Sequence, residues 1–199
     1  YRGHGAPPED SLYYNQFLEA VSKELTGQGY QLSGPFAPSD PGFLSRPPAD
    51  GVILLGAAAT ADQIRQLQTP SIPFVVTGIS SDALAADTVS HDNHAGIRSA
   101  LLYLQRMGHT HIGYLRSLCM APGEDRQQAW QYEMHRLQLT PGEILDISSE
   151  PDNTRPEILL GRLHDWLEHR LPKASAFLCD NDSLAAAFMR ALRDKGLIP

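Results

Sequence analysis

Residues 94–115 read His-Ala-Gly-Ile-Arg-Ser-Ala-Leu-Leu-Tyr-Leu-Gln-Arg-Met-Gly-His-Thr-His-Ile-Gly-Tyr-Leu, and two periods meet inside them. Ile97, Leu101, Leu104 and Met107 recur at helical spacing and stop at Gly108, as an amphipathic helix closed by glycine does. Shortly after, His111-Ile-Gly-Tyr-Leu115 forms a short apolar run without clean alternation. Such runs mark strands buried on both faces, the condition of a parallel sheet covered by helices. If this unit repeats along the chain, the fold class follows.

It does repeat. Gly51-Val-Ile-Leu-Leu55, Ile72-Pro-Phe-Val-Val76 and Ala176-Phe-Leu-Cys179 are further strand-like runs; Pro73 belongs at a strand start or an edge. Helical patterns separate them. Tyr14, Phe17, Leu18, Val21 and Leu25 make one stripe over residues 12–26; Thr60 is placed to cap a helix carrying Ile64 and Leu67. Pro122 opens a helix with Trp130, Met134 and Leu137 inward. Thr154 and Pro156 precede Leu160, Leu163 and Leu167, and Asp182 is expected to cap a helix with Leu184, Ala187, Phe188 and Ala191 that ends at Gly196. Alternation of this kind predicts an α/β chain with right-handed crossovers and helices on both sheet faces.

The weak stretches are 1–10, the proline-rich 33–50, with room for only a short helix, and 78–90, which carries no strong element and is expected to link two lobes. The chain begins without an apolar strand before its first helix and stops where a next strand is due, so it reads as part of a longer protein. With 199 residues it is long enough to bury a core without disulfide or metal staples.

A net charge of −7 gives no electrostatic footprint for a phosphate backbone, so these residues are not expected to bind nucleic acid by themselves. No apolar run approaches the ~18 residues of a membrane span, and no signal peptide is visible. Cys119 and Cys179 make neither a disulfide framework nor zinc spacing; a reducing, cytoplasmic setting is expected.

Ligands of open parallel sheets sit outside the carboxyl ends of the strands. The residues due there are Gly56-Ala-Ala, Thr77-Gly78, Arg116-Ser117 and Asp180-Asn181-Asp182, a polar set without a nucleophile elbow, phosphate loop or dinucleotide fingerprint. His91 and His94 have a spacing that zinc accepts, but a third ligand is lacking; a solvated turn into a helix is the plainer reading. Asp180-Asn181-Asp182 reads as a helix cap, as a set of hydrogen-bonding groups for a polyhydroxylated ligand, or as a magnesium site, and the first two are compatible. Arg126, in the first turn of its predicted helix, gains nothing from the helix dipole, which points to a specific partner or ligand, the alternative being a surface arginine. Tyr13 and Tyr14 are core or lid residues, either able to stack on a flat ligand face. No cofactor, no metal and no enzymatic activity are expected.

In order and spacing, several strings resemble the effector-binding domain of the LacI/GalR family of bacterial transcription regulators. They are Asp92-Asn-His-Ala-Gly96 before the helix, Gly108-His-Thr-His-Ile-Gly-Tyr-Leu115, Glu124-Asp-Arg-Gln-Gln-Ala-Trp130, Asp50-Gly-Val-Ile-Leu-Leu55, Ile72-Pro-Phe-Val-Val76, Asn181-Asp182-Ser-Leu-Ala185 and Lys195-Gly-Leu-Ile-Pro199. The resemblance runs from about residue 11 to the end. Gly-His-Thr and Ile-Gly-Tyr-Leu are most similar to the galactose-repressor branch, while Ala129 stands where glycine is usual.

The resemblance implies a type I periplasmic-binding-protein-like fold, here incomplete. It comprises an N-terminal lobe over residues 1–77, a hinge over 78–92 and a C-terminal lobe over 93–199, each lobe a parallel sheet flanked by helices. It further implies a small sugar or sugar derivative held in the interlobe cleft, a homodimer, and operator DNA bound only through a helix-turn-helix absent from these residues. Asp92, Arg126 and Asn181 are then ligand contacts, Asp182 a supporting cap, and Tyr13 and Tyr14 aromatics near the ligand. A solute-binding protein of a sugar transport system is the alternative within the same fold.

Overall fold

Two parallel sheets organise the chain, one in each of two units, Tyr1–Ser90 and His91–Pro199. The computed structural model describes residues 12–33, 50–55, 72–78, 86–117, 121–148, 155–169 and 172–197.

In the first unit, helix α1 (Leu12–Gly27) half-buries the expected stripe of Tyr14, Phe17, Leu18, Val21 and Leu25. Strands β1 (Val52–Leu55), β2 (Phe74–Thr77) and β3 (Asp87–Val89) pair in parallel in the order β1-β2-β3. Val52 lies beside Phe74 and Val76 beside Thr88; Val76, on the middle strand, is fully buried. Pro73 stands just ahead of β2, its carbonyl accepting the Val52 amide at 3.0 Å. β3 corrects the sequence reading, which found no strong element between residues 78 and 90. An edge strand is covered on one side only, so Asp-Thr-Val needs no apolar run; only Thr88 is half-buried and its two neighbours are exposed. The expected helix with Ile64 and Leu67 lies outside the described residues.

The second unit runs α2 (Asn93–Arg106), β4 (His111–Arg116), α3 (Ala121–Arg136), β5 (Thr140–Asp146), α4 (Pro156–His169), β6 (Ala176–Cys179) and α5 (Asp182–Asp194). Its strands are parallel in the order β5-β4-β6. The chain thus leaves β4 in one direction and returns past it in the other, and right-handed crossovers then put the connecting helices on opposite faces. On the first face α2 and α3 deliver Ile97, Leu101, Ala129, Trp130 and Met134 onto Ile112, Tyr114 and Leu178. On the second, α4 and α5 deliver Leu159, Leu163, Leu167, Leu184, Phe188 and Ala191 onto Leu115. Ile112 and Tyr114 face one way and Leu115 the other, the period of 2 that a doubly covered strand shows.

Two glycines are required by geometry. Gly108 has φ +93° just past α2, and the next amide, of His109, reaches back to the Leu104 carbonyl at 3.0 Å, the bond that closes a Schellman-type helix end. Gly113, in the central strand, lies beside Phe177; a Cβ there would come within 2.2 Å of that ring. Phe177 in turn meets Phe188 and Trp166 edge-on, at 5.1 and 6.0 Å between ring centres.

β5 is the second strand the sequence did not show. Thr-Pro-Gly-Glu-Ile-Leu-Asp has a proline and a glycine near its start and exposed residues at both ends. That composition is tolerated at an edge, where one side of the ladder needs no donor. Arg126 also moves: α3 begins at Ala121, which puts the arginine in the second turn.

Candidate functional site

Strands β4 and β6 are neighbours whose exits diverge, β4 leading to α3 on one face and β6 to α5 on the other. That is the switch point at which open α/β sheets bind ligands. Ser117 follows β4, and Asp180 and Asn181 follow β6, so their side chains meet across the edge. The buried Asp180 carboxylate accepts from the Ser117 amide at 2.9 Å, the Ser117 hydroxyl at 3.3 Å and the Asn181 side-chain amide at 2.6 Å. Asn181 also donates to the Ser117 hydroxyl at 2.9 Å.

Asn181 is the N-cap of α5: its backbone is extended and its Oδ1 accepts the Leu184 amide at 2.9 Å. The expected cap at Asp182 is therefore corrected by one position. Only Asn181 has the extended backbone that turns a side-chain oxygen onto the first turn, and Asp182 is the exposed first helical residue, favoured there by the helix dipole.

Arg126 reaches the same edge from α3. Its Nη1 donates to the Asp180 carbonyl at 2.5 Å and its Nε to the Asn93 side-chain oxygen at 2.9 Å. Asn93 is the first residue of α2, and its Nδ2 donates to Asp125 Oδ2 at 2.5 Å. Both anchors of the guanidinium are neutral oxygens. Its other N–H groups have no partner, and no carboxylate pairs with it, among the described residues. Arg116 differs: it lies within 3.3 Å of Asp146 and 3.5 Å of Glu124 and donates to Gln127 at 3.1 Å. Of two arginines at one edge, one is charge-paired and the other is fixed in place with no carboxylate paired to it among the described residues.

Asp92 is the N-cap of α2, its Oδ1 accepting the Ala95 amide at 2.9 Å, and is exposed. It enters this edge only through its neighbour Asn93. His94 lies 3.8 Å from Asp125 and edge-on to Tyr132; among the described residues no cluster of three or more His, Cys, Asp or Glu groups offers a metal site. Tyr13 and Tyr14 lie on the first turn of α1, in the other unit; Tyr14 is half-buried.

Beneath the edge the ground is dry. Burial pushes the Tyr114 phenol well above its ordinary range, and the charge of Asp180 pushes it further. The Cys179 thiol is raised to about 12 by burial and, again, Asp180. Both stay neutral at physiological pH. Tyr114 and Trp130 pack with ring centres 5.4 Å apart, and among the described residues neither the hydroxyl nor the indole N–H finds a hydrogen-bond partner. Strand-end reasoning located Arg116, Ser117 and Asp180 by position. It missed Asn93 and Asp125 as partners of Arg126, because that link spans two helices that meet only in the folded chain.

Two parallel-sheet lobes, with a polar network at the carboxyl edge of the second, define the periplasmic-binding-protein-like class of fold. Residues 101–199 match the periplasmic binding protein-like domain family. Over 94% of its length the chain is 26% identical to the HTH-type transcriptional repressor PurR of Haemophilus influenzae, and it spans 57% of that protein. Over 114 residues, 55% of the chain and 31% of the relative, it is 32% identical to the HTH-type transcriptional regulator GalR of Escherichia coli K12. Among solved structures, a LacI-family transcriptional regulator of Enterococcus faecium with bound ribose superposes with a TM-score of 0.74 at 19% identity, covering 96% of this chain and 70% of that one. The chain is thus similar to transcription regulators of this kind over nearly its whole length, and its second half to the periplasmic binding protein-like domain. The relatives are named as transcription regulators, and the chain spans little more than half the length of the curated relatives it matches first.

Proposed function

We propose that this domain senses a small sugar or sugar derivative at the carboxyl edge of its second sheet and so controls operator binding by a LacI-type repressor. The observation that carries this reading is Arg126, a guanidinium held by two neutral oxygens with its remaining N–H groups turned to no described residue. A forked donor of fixed orientation suits the paired oxygens of vicinal hydroxyls or of a carboxylate. Asn181, and Asp92 next to Asn93, are proposed as further hydrogen-bonding contacts, with Asp182 supporting the α5 terminus and Tyr13 and Tyr14 proposed as aromatic contacts. The ribose named with the Enterococcus faecium regulator supports a sugar as the ligand class.

Operator recognition belongs to a helix-turn-helix in the intact protein, which is proposed to be a cytoplasmic homodimer. The acidic charge of −7 supports placing DNA contact elsewhere than on these residues. No described helix is long and apolar enough to cross a membrane. Within the proposed hinge, residues 78–92, β3 takes up Asp87–Val89.

Calorimetric titration of the intact protein with a panel of mono- and disaccharides tests the ligand class. Saturable binding of a sugar that Arg126→Lys fails to retain is expected, because a point charge does not reproduce a fork. Equal binding by wild type, Arg126→Ala and Arg126→Lys, all folded, overturns the site. Sequence-selective binding of residues 1–199 to the gene's own upstream DNA overturns the division of labour.

A further inference from the structure

The contact that aims Arg126 comes from an uncharged side chain, and the chemistry around that side chain explains why. Asn93 bridges an anion and a cation: one end of its amide meets the Asp125 carboxylate at 2.5 Å, the other the Arg126 Nε at 2.9 Å. An ionised carboxylate only accepts and a guanidinium only donates. The amide therefore has one workable orientation, N–H toward Asp125 and oxygen toward Arg126. Asp125 fixes Asn93, and Asn93 fixes Arg126. The second anchor, the Asp180 carbonyl, holds a different nitrogen of the same planar group, so the guanidinium is pinned at two points.

We propose that Asn93 is the positioning residue of the effector site: it orients the Arg126 guanidinium while keeping the Asp125 charge off it. This rests on the reading of Arg126 as an effector contact and adds a specificity consequence. Asp125 and Arg126 are adjacent in sequence on α3, yet no salt bridge joins them among the described residues; the amide of Asn93 stands between. A carboxylate at position 93 would pair the guanidinium directly and cancel the charge it offers a ligand. Asparagine thus holds the fork ready for a ligand oxygen that carries negative charge, as well as for vicinal hydroxyls.

Two readouts on the intact chain test this. In the nitrogen-15 spectrum the Arg126 Nε–H signal, assigned by its loss in Arg126→Lys, is expected to exchange slowly. Asn93→Ala should speed that exchange roughly tenfold, the equivalent of one ordinary hydrogen bond, with Asn93→Asp, which restores an acceptor, returning it toward wild type. In parallel, D-ribose, D-galactose and D-galacturonate are titrated calorimetrically. Asn93→Asp should lower affinity for the sugar acid roughly tenfold relative to its neutral counterpart, about 1.4 kcal/mol, a change of preference that a merely structural role would not produce. Unchanged Nε exchange in Asn93→Ala, or an unchanged preference in Asn93→Asp where wild type binds both sugars, overturns the proposal. If wild type binds none of the three, the sugar reading falls for them, while Nε exchange still decides whether Asn93 holds the arginine.

Discussion

The two edges of the second unit's sheet use the same kinds of side chain to different ends. At the amino edge, Glu143 of β5 accepts the Lys173 and Ala174 amides at 2.6 and 3.1 Å, and Ser175 is bonded through its amide and hydroxyl to the His111 carbonyl at 2.9 and 3.2 Å. There an anion is consumed in closing the loop ahead of β6. At the carboxyl edge the Asp180 carboxylate is likewise consumed, by Ser117 and Asn181, but Arg126 is held by neutral groups and keeps donors in reserve. Among the described residues one edge consumes its charged group and the other keeps a guanidinium with unmatched donors, and this contrast, rather than the presence of charge, marks the proposed site.

Four changes break or sharpen that contrast. The largest effect belongs to neither edge. Gly113→Val in the strand between them drives a side chain into the Phe177 ring and the Glu143 carbonyl, and overpacking typically costs about 1–3 kcal/mol and occasionally more, here at the upper end because a backbone carbonyl is met as well; the urea midpoint should fall accordingly. Arg126→Ala strikes the open edge. Losing a charged hydrogen bond worth about 1.5–3 kcal/mol should weaken the effector roughly tenfold to more than a hundredfold, with the thermal midpoint nearly unmoved.

Glu143→Ala strikes the closed edge and should do the reverse, costing about 1–2 kcal/mol of stability and leaving effector affinity alone. Its pH dependence sharpens the point. Partial burial opposes ionisation of Glu143, but the backbone amides of Lys173, Ala174 and Glu143 itself outweigh it and hold the carboxyl below the ordinary 4.5. A depressed native value means stability that is whole above the ordinary range and lost as pH falls through the native one. Chemical denaturation at pH 7 and pH 3 should show a smaller acid loss in Glu143→Gln than in wild type. The smallest effect is at Cys179. With its thiol raised to about 12 and no thiolate to react, alkylation by iodoacetamide at pH 8 should be slow and speed up only in denaturant.

How much of this was legible in the sequence follows from where each residue sits. β4 and β6 show as apolar runs because helices cover both faces of their sheet, β1 and β2 show as apolar runs as well, and α2 shows its period and its glycine stop. β3 and β5 stayed hidden because an edge strand is selected by pairing on one side, which Asp-Thr-Val and Thr-Pro-Gly-Glu-Ile-Leu-Asp satisfy without an apolar run. At the site, Arg116, Ser117, Asp180 and Asn181 were legible by position at strand ends. The cap fell one residue from its expected place, since an Asn-Asp pair offers two candidate caps and backbone geometry alone chooses between them. Asn93 belongs to a string that reads locally as a solvated turn into a helix; its tie to Arg126 spans 33 positions, and no local pattern encodes it.

The buried pair of Tyr114 and Trp130 gives the site an optical consequence. Trp130 lies four residues beyond Arg126 on α3, one turn along, with its indole 1% exposed and Tyr114 against it. An indole shut away from water emits at the blue end of its range, and the tyrosine beside it serves as an energy donor. The second tryptophan, Trp166, sits on the other face of the sheet among Phe177 and Phe188. Replacing it by phenylalanine would leave Trp130 as a single chromophore on the helix that carries the arginine, so that occupation of the edge above is read as a change in emission without any label.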